Sequence, residues 1–475
     1  MFELNYYLTM INDFLYSYIL IALLLICGIY FTIKTRFIQI KLIPDAIKLL
    51  GEKKDDSKVS SFQALMISTA SRVGTGNIAG ITTALVTGGP GSIFWMWIMA
   101  LFGGASAFIE STLAQVYKVK DDKNGGFRGG PSYYIQIALG KRNVGILFSV
   151  LLILCFAFGF NALQAYNISS SFEYYINNYN QTIWPFVVGL VLAFFTALII
   201  FGGVHRIGFI SSVIVPIMAT VYLLLGIFIT LKNINRFPDV INLVIKSAFD
   251  FKAIFGGFSG SVVLVGIKRG LFSNEAGMGS APNAAATADV SHPVKQGAVQ
   301  ILSVFIDTLI ICTTTASIVL FSGTSLDGHA TGIPLMQESL KSQIGVFGIH
   351  FITFSILLFA FSSIIGNYCY AESNILFIKD NKYVMNIFRV ICIIPVILGS
   401  VASSDIAWNF ADIFMGLMAI VNIIAILLLS KTSLNVMNDY INQKKKGKDL
   451  VFIAKDNNIK NIKVWLKKYK ETVDN

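Results

Sequence analysis

Two stretches of an otherwise apolar chain carry groups suited to binding ions and zwitterions. One is Ser71-Arg72-Val73-Gly74-Thr75-Gly76-Asn77, the other Gly266-Ile267-Lys268-Arg269-Gly270-Leu271-Phe272-Ser273-Asn274-Glu275-Ala276-Gly277. Inside a lipid-spanning segment, glycine and polar residues are costly unless the backbone they free lines a cavity enclosed by protein. A helix interrupted there exposes N–H groups at the start of one half, which attract an anion such as a carboxylate. It also exposes C=O groups at the end of the other half, which suit Na+ or an ammonium group. Two such breaks facing one another make a site for a zwitterion and a cation. The alternative is that the glycines only allow close helix packing. Polar and charged breaks at matched positions in two spans favour the first reading.

The elements that must carry these stretches are membrane helices. Of 475 residues 55% are hydrophobic and 13% charged, against about 25% charged in soluble domains. Spans are expected near 15–33, 63–87, 92–117, 144–170, 184–201, 206–231, 253–281, 297–321, 346–376, 384–400 and 407–430, eleven in all. The breaks then fall in the second and seventh spans, five apart and running in opposite directions, the signature of inverted repeats. Residues 15–33 follow a segment without Lys or Arg and precede no small-residue cleavage site, so they read as a retained span.

The formal net charge of +11 is spread unevenly. With the N-terminus outside, the cytoplasmic segments hold 29 Lys and Arg and the outer ones five, which gives the orientation and argues against nucleic acid as the partner. The tail from Lys431 includes Lys444-Lys445-Lys446 and the mixed apolar and basic stretch 451–469. It would either lie on the anionic inner leaflet as an amphipathic helix or stay solvated. Cysteines 27, 155, 312, 369 and 392 all fall in spans without metal spacing and read as small packing residues. No His-Glu-x-x-His, Gly-x-Ser-x-Gly or Walker-type loop occurs, which argues against metal catalysis, acyl hydrolysis and ATP drive. A channel would show a continuous polar stripe on several helices, whereas polarity here is concentrated in the breaks and a few facing spots.

The motif Gly74-Thr75-Gly76-Asn77-Ile78-Ala79-Gly80, followed by Gly88-Gly89-Pro90-Gly91-Ser92-Ile93-Phe94-Trp95-Met96-Trp97, resembles the signature region of the alanine or glycine:cation symporter family. So do Lys268 to Gly277, the run His292-Pro293-Val294-Lys295-Gln296-Gly297, and Ile365-Gly366-Asn367-Tyr368. Ser92 departs from the Gly or Ala usual there. The resemblance spans residues 62–429 and implies sodium-coupled, in some members proton-coupled, uptake of alanine or glycine at the cell membrane. It implies an all-α integral membrane fold, with a peripheral helix and loop over 1–61, inverted repeats over 62–232 and 233–430, and a basic tail over 431–475. This five-plus-five arrangement is shared with the bacterial leucine transporter family, whose motif Gly74-x-Gly76-Asn77 also resembles. No cofactor is implied beyond Na+ as coupling ion.

On this reading Thr75 and Gly76 meet the substrate carboxylate, and Asn77 either offers its oxygen to Na+ or caps a helix. Gln164 contacts substrate by resemblance or bonds between helices. Asn367 is assigned to the pocket. Ser362 and Ser363 go to a second Na+ site completed by carbonyls near Val73, or bond back to their own helix. Asp307, with Thr308, is an intramembrane carboxylate expected to ligate Na+ or support the first break, or else to pair with Arg72 or Arg269. Gly270, Phe272 and Asn274 are expected to close the other side. Glu110, Glu275 and Glu372 stand as partners for Lys268 or Arg269, or as gates.

Overall fold

The computed structural model describes residues 2–52, 59–121, 126–202, 204–250, 261–457, 459, 462, 464 and 465. It is built almost wholly of helices. In chain order they begin with α1 (Asn5–Lys34), the short amphipathic α2 (Ile43–Leu50), α3 (Ser61–Arg72), α4 (Ile81–Gly88) and α5 (Ser92–Val116). An antiparallel hairpin pairs β1 (Val119–Asp121) with β2 (Gly126–Arg128), Lys120 lying opposite Phe127. Then come α6 (Pro131–Leu139), α7 (Arg142–Ser170), α8 (Trp184–Ile200), α9 (Val204–Lys232) and α10 (Phe237–Ala248). The rest are α11 (Val262–Asn274), α12 (Ala281–Thr287), α13 (Pro293–Ser322), α14 (Gly332–Ile344), α15 (Val346–Ile378), α16 (Lys382–Ser400), α17 (Ser404–Leu428) and α18 (Ser430–Lys445).

Among the described residues, eight helices are long and apolar enough to cross a membrane: α1, α5, α7, α9, α13, α15, α16 and α17. Three expected spans take other forms. α8 is a shorter apolar helix, and the spans at 63–87 and 253–281 are each divided, into α3 with α4 and α11 with α12; residues 251–260 lie outside the described set. Helices α8 and α9 turn Phe194, Phe195, Leu224, Ile227, Phe228 and Leu231 outward. Such a belt is stable only against lipid or another apolar surface.

α5 forms the centre, packed by α1, α11, α12 and α13. Small residues let these backbones approach. A Cβ at Gly297 of α13 would strike Thr112 Oγ1 and come within 2.8 Å of the Phe108 ring; one at Gly266 of α11 would meet the Trp95 side chain at 2.7 Å.

The second break stands later than the sequence reading placed it. Residues 266–274 are helical, and the chain leaves the helix only at Glu275, in the left-handed region at φ 55°, followed by Gly277 at 85° and Gly279 at 84°. The reason is that the glycines of this run serve two purposes. Gly266 and Gly270 admit α5, whereas Gly277 and Gly279 supply backbone angles that a side chain would strain.

The tail also departs from a free amphipathic helix. After α18, Phe452 and Trp465 are buried against protein; the rest of 451–469 at 458, 460, 461, 463 and 466–469 lies outside the described residues. Adding a Cβ at Gly297 should overpack the α5–α13 contact by about 1–3 kcal/mol. Gly297→Ala is therefore expected to lower the melting temperature in detergent by several degrees, whereas Gly126→Ala, with open space around it, leaves it unchanged.

Candidate functional site

The first division is local in origin. Ser60 caps α3 by accepting from the Gln63 N–H at 3.1 Å, while the Gln63 side chain takes the Ser60 N–H at 2.9 Å, fixing where the helix starts. It stops at Arg72. Val73, at φ −78° and ψ 85°, turns the chain aside. Gly74 follows because a side chain there would strike Ser363 Oγ and crowd Gln164.

The freed groups are then met from several elements. The Gly74 N–H donates to Asn77 Oδ1 at 3.1 Å, and the Thr75 N–H to Gln164 Oε1 at 3.1 Å. On the carbonyl side, Ser363 Oγ of α15 donates to Ala70 O at 2.9 Å and lies 3.4 Å from Val73 O. The Thr75 hydroxyl is buried and has no hydrogen-bond partner among the described residues. A buried hydroxyl left this way costs about 1–3 kcal/mol.

Beside it lies an aromatic wall. The Phe272 ring lies on Gly76, where a Cβ would come within 2.6 Å of two ring carbons. Phe272 in turn packs on Phe160 of α7 at 4.6 Å and on Trp408 of α17 at 5.0 Å between centroids. The Arg269 guanidinium covers Trp408 at 4.0 Å, and Asp412 holds both Lys268 at 2.7 Å and Arg269 at 3.4 Å. Thr75, Gln164, Phe160, Phe272 and Trp408 are all buried.

On the other side of Asn77 is a buried carboxylate. Asp307 Oδ1 accepts from Asn77 Nδ2 at 2.6 Å; Oδ2 accepts from the Ser273 hydroxyl and from Thr308 Oγ1 at 3.3 Å. Cys312 Sγ adjoins Asn77 Nδ2 at 3.3 Å and Ser273 Oγ at 3.0 Å. Among the described residues, no Lys or Arg forms an ion pair with Asp307. The nearby Arg72 instead lies 4.0 Å from Glu275 and donates to Gln300 at 3.2 Å. One carboxylate among neutral oxygens suits a hard monovalent cation. Asn77, Phe160, Asp307 and Thr308 all lie in widened π-type turns, Gly76–Gly80, Leu154–Phe160 and Ile306–Cys312, a distortion that gathers at functional sites.

The second division is closed differently. Glu110 of α5 accepts the Gly277 N–H at 3.2 Å and the Gly279 N–H at 3.0 Å. Asn422 of α17 braces it, donating to Glu110 at 2.7 Å and to Gly277 O at 2.9 Å, and accepts in turn from the Tyr134 hydroxyl. The N–H groups ahead of α12 are thus already bound to a carboxylate of the chain itself.

Of the residues expected in the site, Val73, Thr75, Gly76, Asn77, Gln164, Phe272, Asp307, Thr308 and Ser363 come together around the first division. Asn367 lies one layer away, accepting from Ser71 at 2.7 Å and donating to Asn161 at 3.0 Å. Ser362 is turned back on its own helix, donating to Phe359 O at 2.8 Å. Asn274 accepts from the Ala276 N–H at 3.0 Å, and Gly270 faces Met96 and Met99 of α5 away from the pocket. Lys268 and Arg269 pair with Asp412 and not with Glu110, Glu275 or Glu372, the last of which meets Arg389 at 3.3 Å. Phe160, Trp408, Ser273, Cys312 and Asn422 were missed. Ser273 lies in the polar stretch already singled out, and Asn422, an amide deep in an apolar span, carried a usable signal.

Comparison with known proteins gives the family. The sodium:alanine symporter family matches residues 1–454. The chain is 48% identical to the amino-acid carrier protein AlsT of Bacillus subtilis (96% of each chain), and 48% identical to that organism's probable sodium/glutamine symporter GlnT (93% of this chain, 91% of the relative). It is 38% identical to the sodium/alanine symporter AgcS of Methanococcus maripaludis, over 88% of this chain and 93% of the relative. A crystal structure of a manganese transporter mutant from Eremococcus coleocola overlaps 82% of this chain and 80% of its own, at TM-score 0.48 and 13% identity. The chain therefore belongs to the sodium:alanine symporter family, a family of multi-pass membrane transporters and not of enzymes.

Proposed function

We propose that this amino-acid symporter imports a small neutral amino acid, alanine or glycine, together with Na+ by alternating access at the cell membrane. The observation that carries the reading is a buried carboxylate, Asp307, with no basic partner, hydrogen-bonded to Asn77 beside a break that offers an unpartnered hydroxyl. A cation bound there relieves the cost of an unpaired buried charge. In this reading the substrate carboxylate is received by Thr75 and Gly76, with Gln164 alongside. Asn77, Asp307 and Thr308 serve one Na+; Val73 O and Ser363 serve a second, with Ser362 and Asn367 supporting from behind. Phe160, Phe272 and Trp408 limit side-chain size. The second division contributes Phe272 and Ser273 to the pocket, while Glu110 takes its N–H groups.

The eight long helices, α8 and the two divided pairs are read as eleven crossings. α1 stands outside two inverted repeats over 62–232 and 233–430, with the N-terminus outside and the basic tail in the cytoplasm. The 29 to five distribution of Lys and Arg supports this orientation. Inward movement of one Na+ is favourable by about 2.3 kcal/mol per 100 mV, so one or two ions drive strong accumulation.

Labelled alanine uptake into proteoliposomes tests the function. An inward Na+ gradient should raise it at least tenfold over K+, with a pH gradient as the arm for proton coupling; uptake indifferent to Na+ contradicts the reading. One relative is named for sodium and glutamine, so excess glutamine belongs beside glycine and leucine as competitor, and glycine should compete best. Asp307→Asn and Ser363→Ala should each raise the half-saturating Na+ concentration at least tenfold. Gly76→Ala, whose methyl displaces the Phe272 ring, should weaken alanine binding more than tenfold while the protein still folds.

A further inference from the structure

Among the described residues after α18, Phe452 and Trp465 pack at the ends of the divided helices. Phe452 is fully buried; its N–H donates to Ser291 O at 2.9 Å, and its ring meets His292 at 5.4 Å and Trp465 at 5.5 Å. The indole N–H of Trp465 donates to Gln115 O at 2.9 Å, at the end of α5. Lys118 Nζ sits between aromatic rings, 4.8 Å from Trp465 and 3.9 Å from Phe127 of the hairpin. The Ala454 N–H donates to Trp465 O at 3.0 Å, which closes the segment on itself.

What this segment touches matters more than that it docks. Gln115 Nε2 donates to Ala285 O at 2.5 Å and to Ala288 O at 2.9 Å, and Lys118 Nζ donates to Ala288 O at 2.9 Å. These are the last carbonyls of α12, the shorter half of the second divided helix. One residue on, the Asp289 N–H donates to Val59 O at 3.0 Å, immediately before the cap of α3, the corresponding half of the first. Residues 285–291 thus tie both half-helices together, and Phe452 and Trp465 clamp that tie from outside. Two further contacts steady the clamp on the same face: Lys444 of α18 with Asp45 of α2, and His292 with Asp439 of α18.

We propose that Phe452 and Trp465 anchor a latch that holds α3 and α12 closed on the face that carries the tail, and that these anchors must release for the pocket to open there. This rests on the alternating-access reading above, and goes beyond it by assigning the closing force on that face to the C-terminal segment. Its aromatic anchors give up hydrogen bonds and ring contacts without touching the substrate pocket, so their removal changes the balance between closed and open forms and leaves the binding groups intact.

The test uses the full chain, with its five cysteines replaced and a single reporter cysteine at Ala285, fully buried in α12. Its rate of reaction with a membrane-impermeant maleimide is measured in vesicles that expose the tail face. With wild-type anchors the reporter should react slowly. Trp465→Ala, Phe452→Ala and truncation after Lys448 should each speed it at least fivefold, and Trp465→Phe, which keeps the ring but loses the N–H donor, should fall between. If one variant fails to reach the membrane, the others carry the comparison. Equal, measurable rates in all of them overturn the latch while leaving alternating access standing. No reaction in any of them, with or without Na+ and alanine, overturns both.

Discussion

A chain that leaves its helix at mid-membrane frees N–H and C=O groups that lipid cannot satisfy, at a cost of several kcal/mol each. This chain leaves its helix twice among buried residues, at Val73–Gly74 and at Glu275–Ser280. The way each set of groups is met fixes what the surrounding helices have to do. Around the first, Gln164, Asn77 and Ser363 come from three separate places to take some of the groups. They leave the Thr75 hydroxyl without a partner among the described residues. Around the second, Glu110 and Asn422 settle the backbone permanently.

That difference divides the labour between the halves. The first division leaves the buried Thr75 hydroxyl without a partner among the described residues, and in the proposed function that is where a ligand binds. At the second, Glu110 holds the Gly277 and Gly279 N–H groups, while the Asn274 amide nitrogen is left without a partner among the described residues. This second division delivers Phe272 against Gly76 and Ser273 against Asp307, and lets α12 continue toward the tail face. Two backbone N–H groups and the Asn422 amide converge on the Glu110 carboxyl, each hydrogen bond worth about 0.5–1.5 kcal/mol, which makes the clamp hard to displace. Motion is then more readily accommodated at the ends of α3 and α12, where the tie across 285–291 depends on anchors from outside the bundle.

Much of this was legible in the residues. Gly74-Thr75-Gly76-Asn77 could not sit in lipid as plain helix, and Asp307 was the carboxylate that an apolar span most needed to explain. The second division was misplaced because Gly266, Gly270, Gly277 and Gly279 look alike in sequence. The first pair faces α5 from within a helix, and only the second pair takes positive φ. Trp408, Phe160 and Cys312 gave no signal, since an aromatic or a cysteine in a membrane helix reads as packing until a neighbour from a distant span is seen against it. Ser362 and Ser363 show the same limit: both hydroxyls lie within hydrogen-bond reach of Phe359 O on their own helix, but only that of Ser363 also reaches Ala70 O of α3.

The central claim is that the first division alone receives the amino acid, through groups the protein leaves unmet. Equilibrium binding of labelled alanine to purified protein, titrated with Na+, tests it without involving transport. The account predicts Na+-dependent binding that Thr75→Val, which keeps the shape and removes the hydroxyl, reduces at least tenfold, whereas Glu110→Gln binds alanine with little change. Wild-type binding by Thr75→Val, or loss confined to Glu110→Gln, would contradict it.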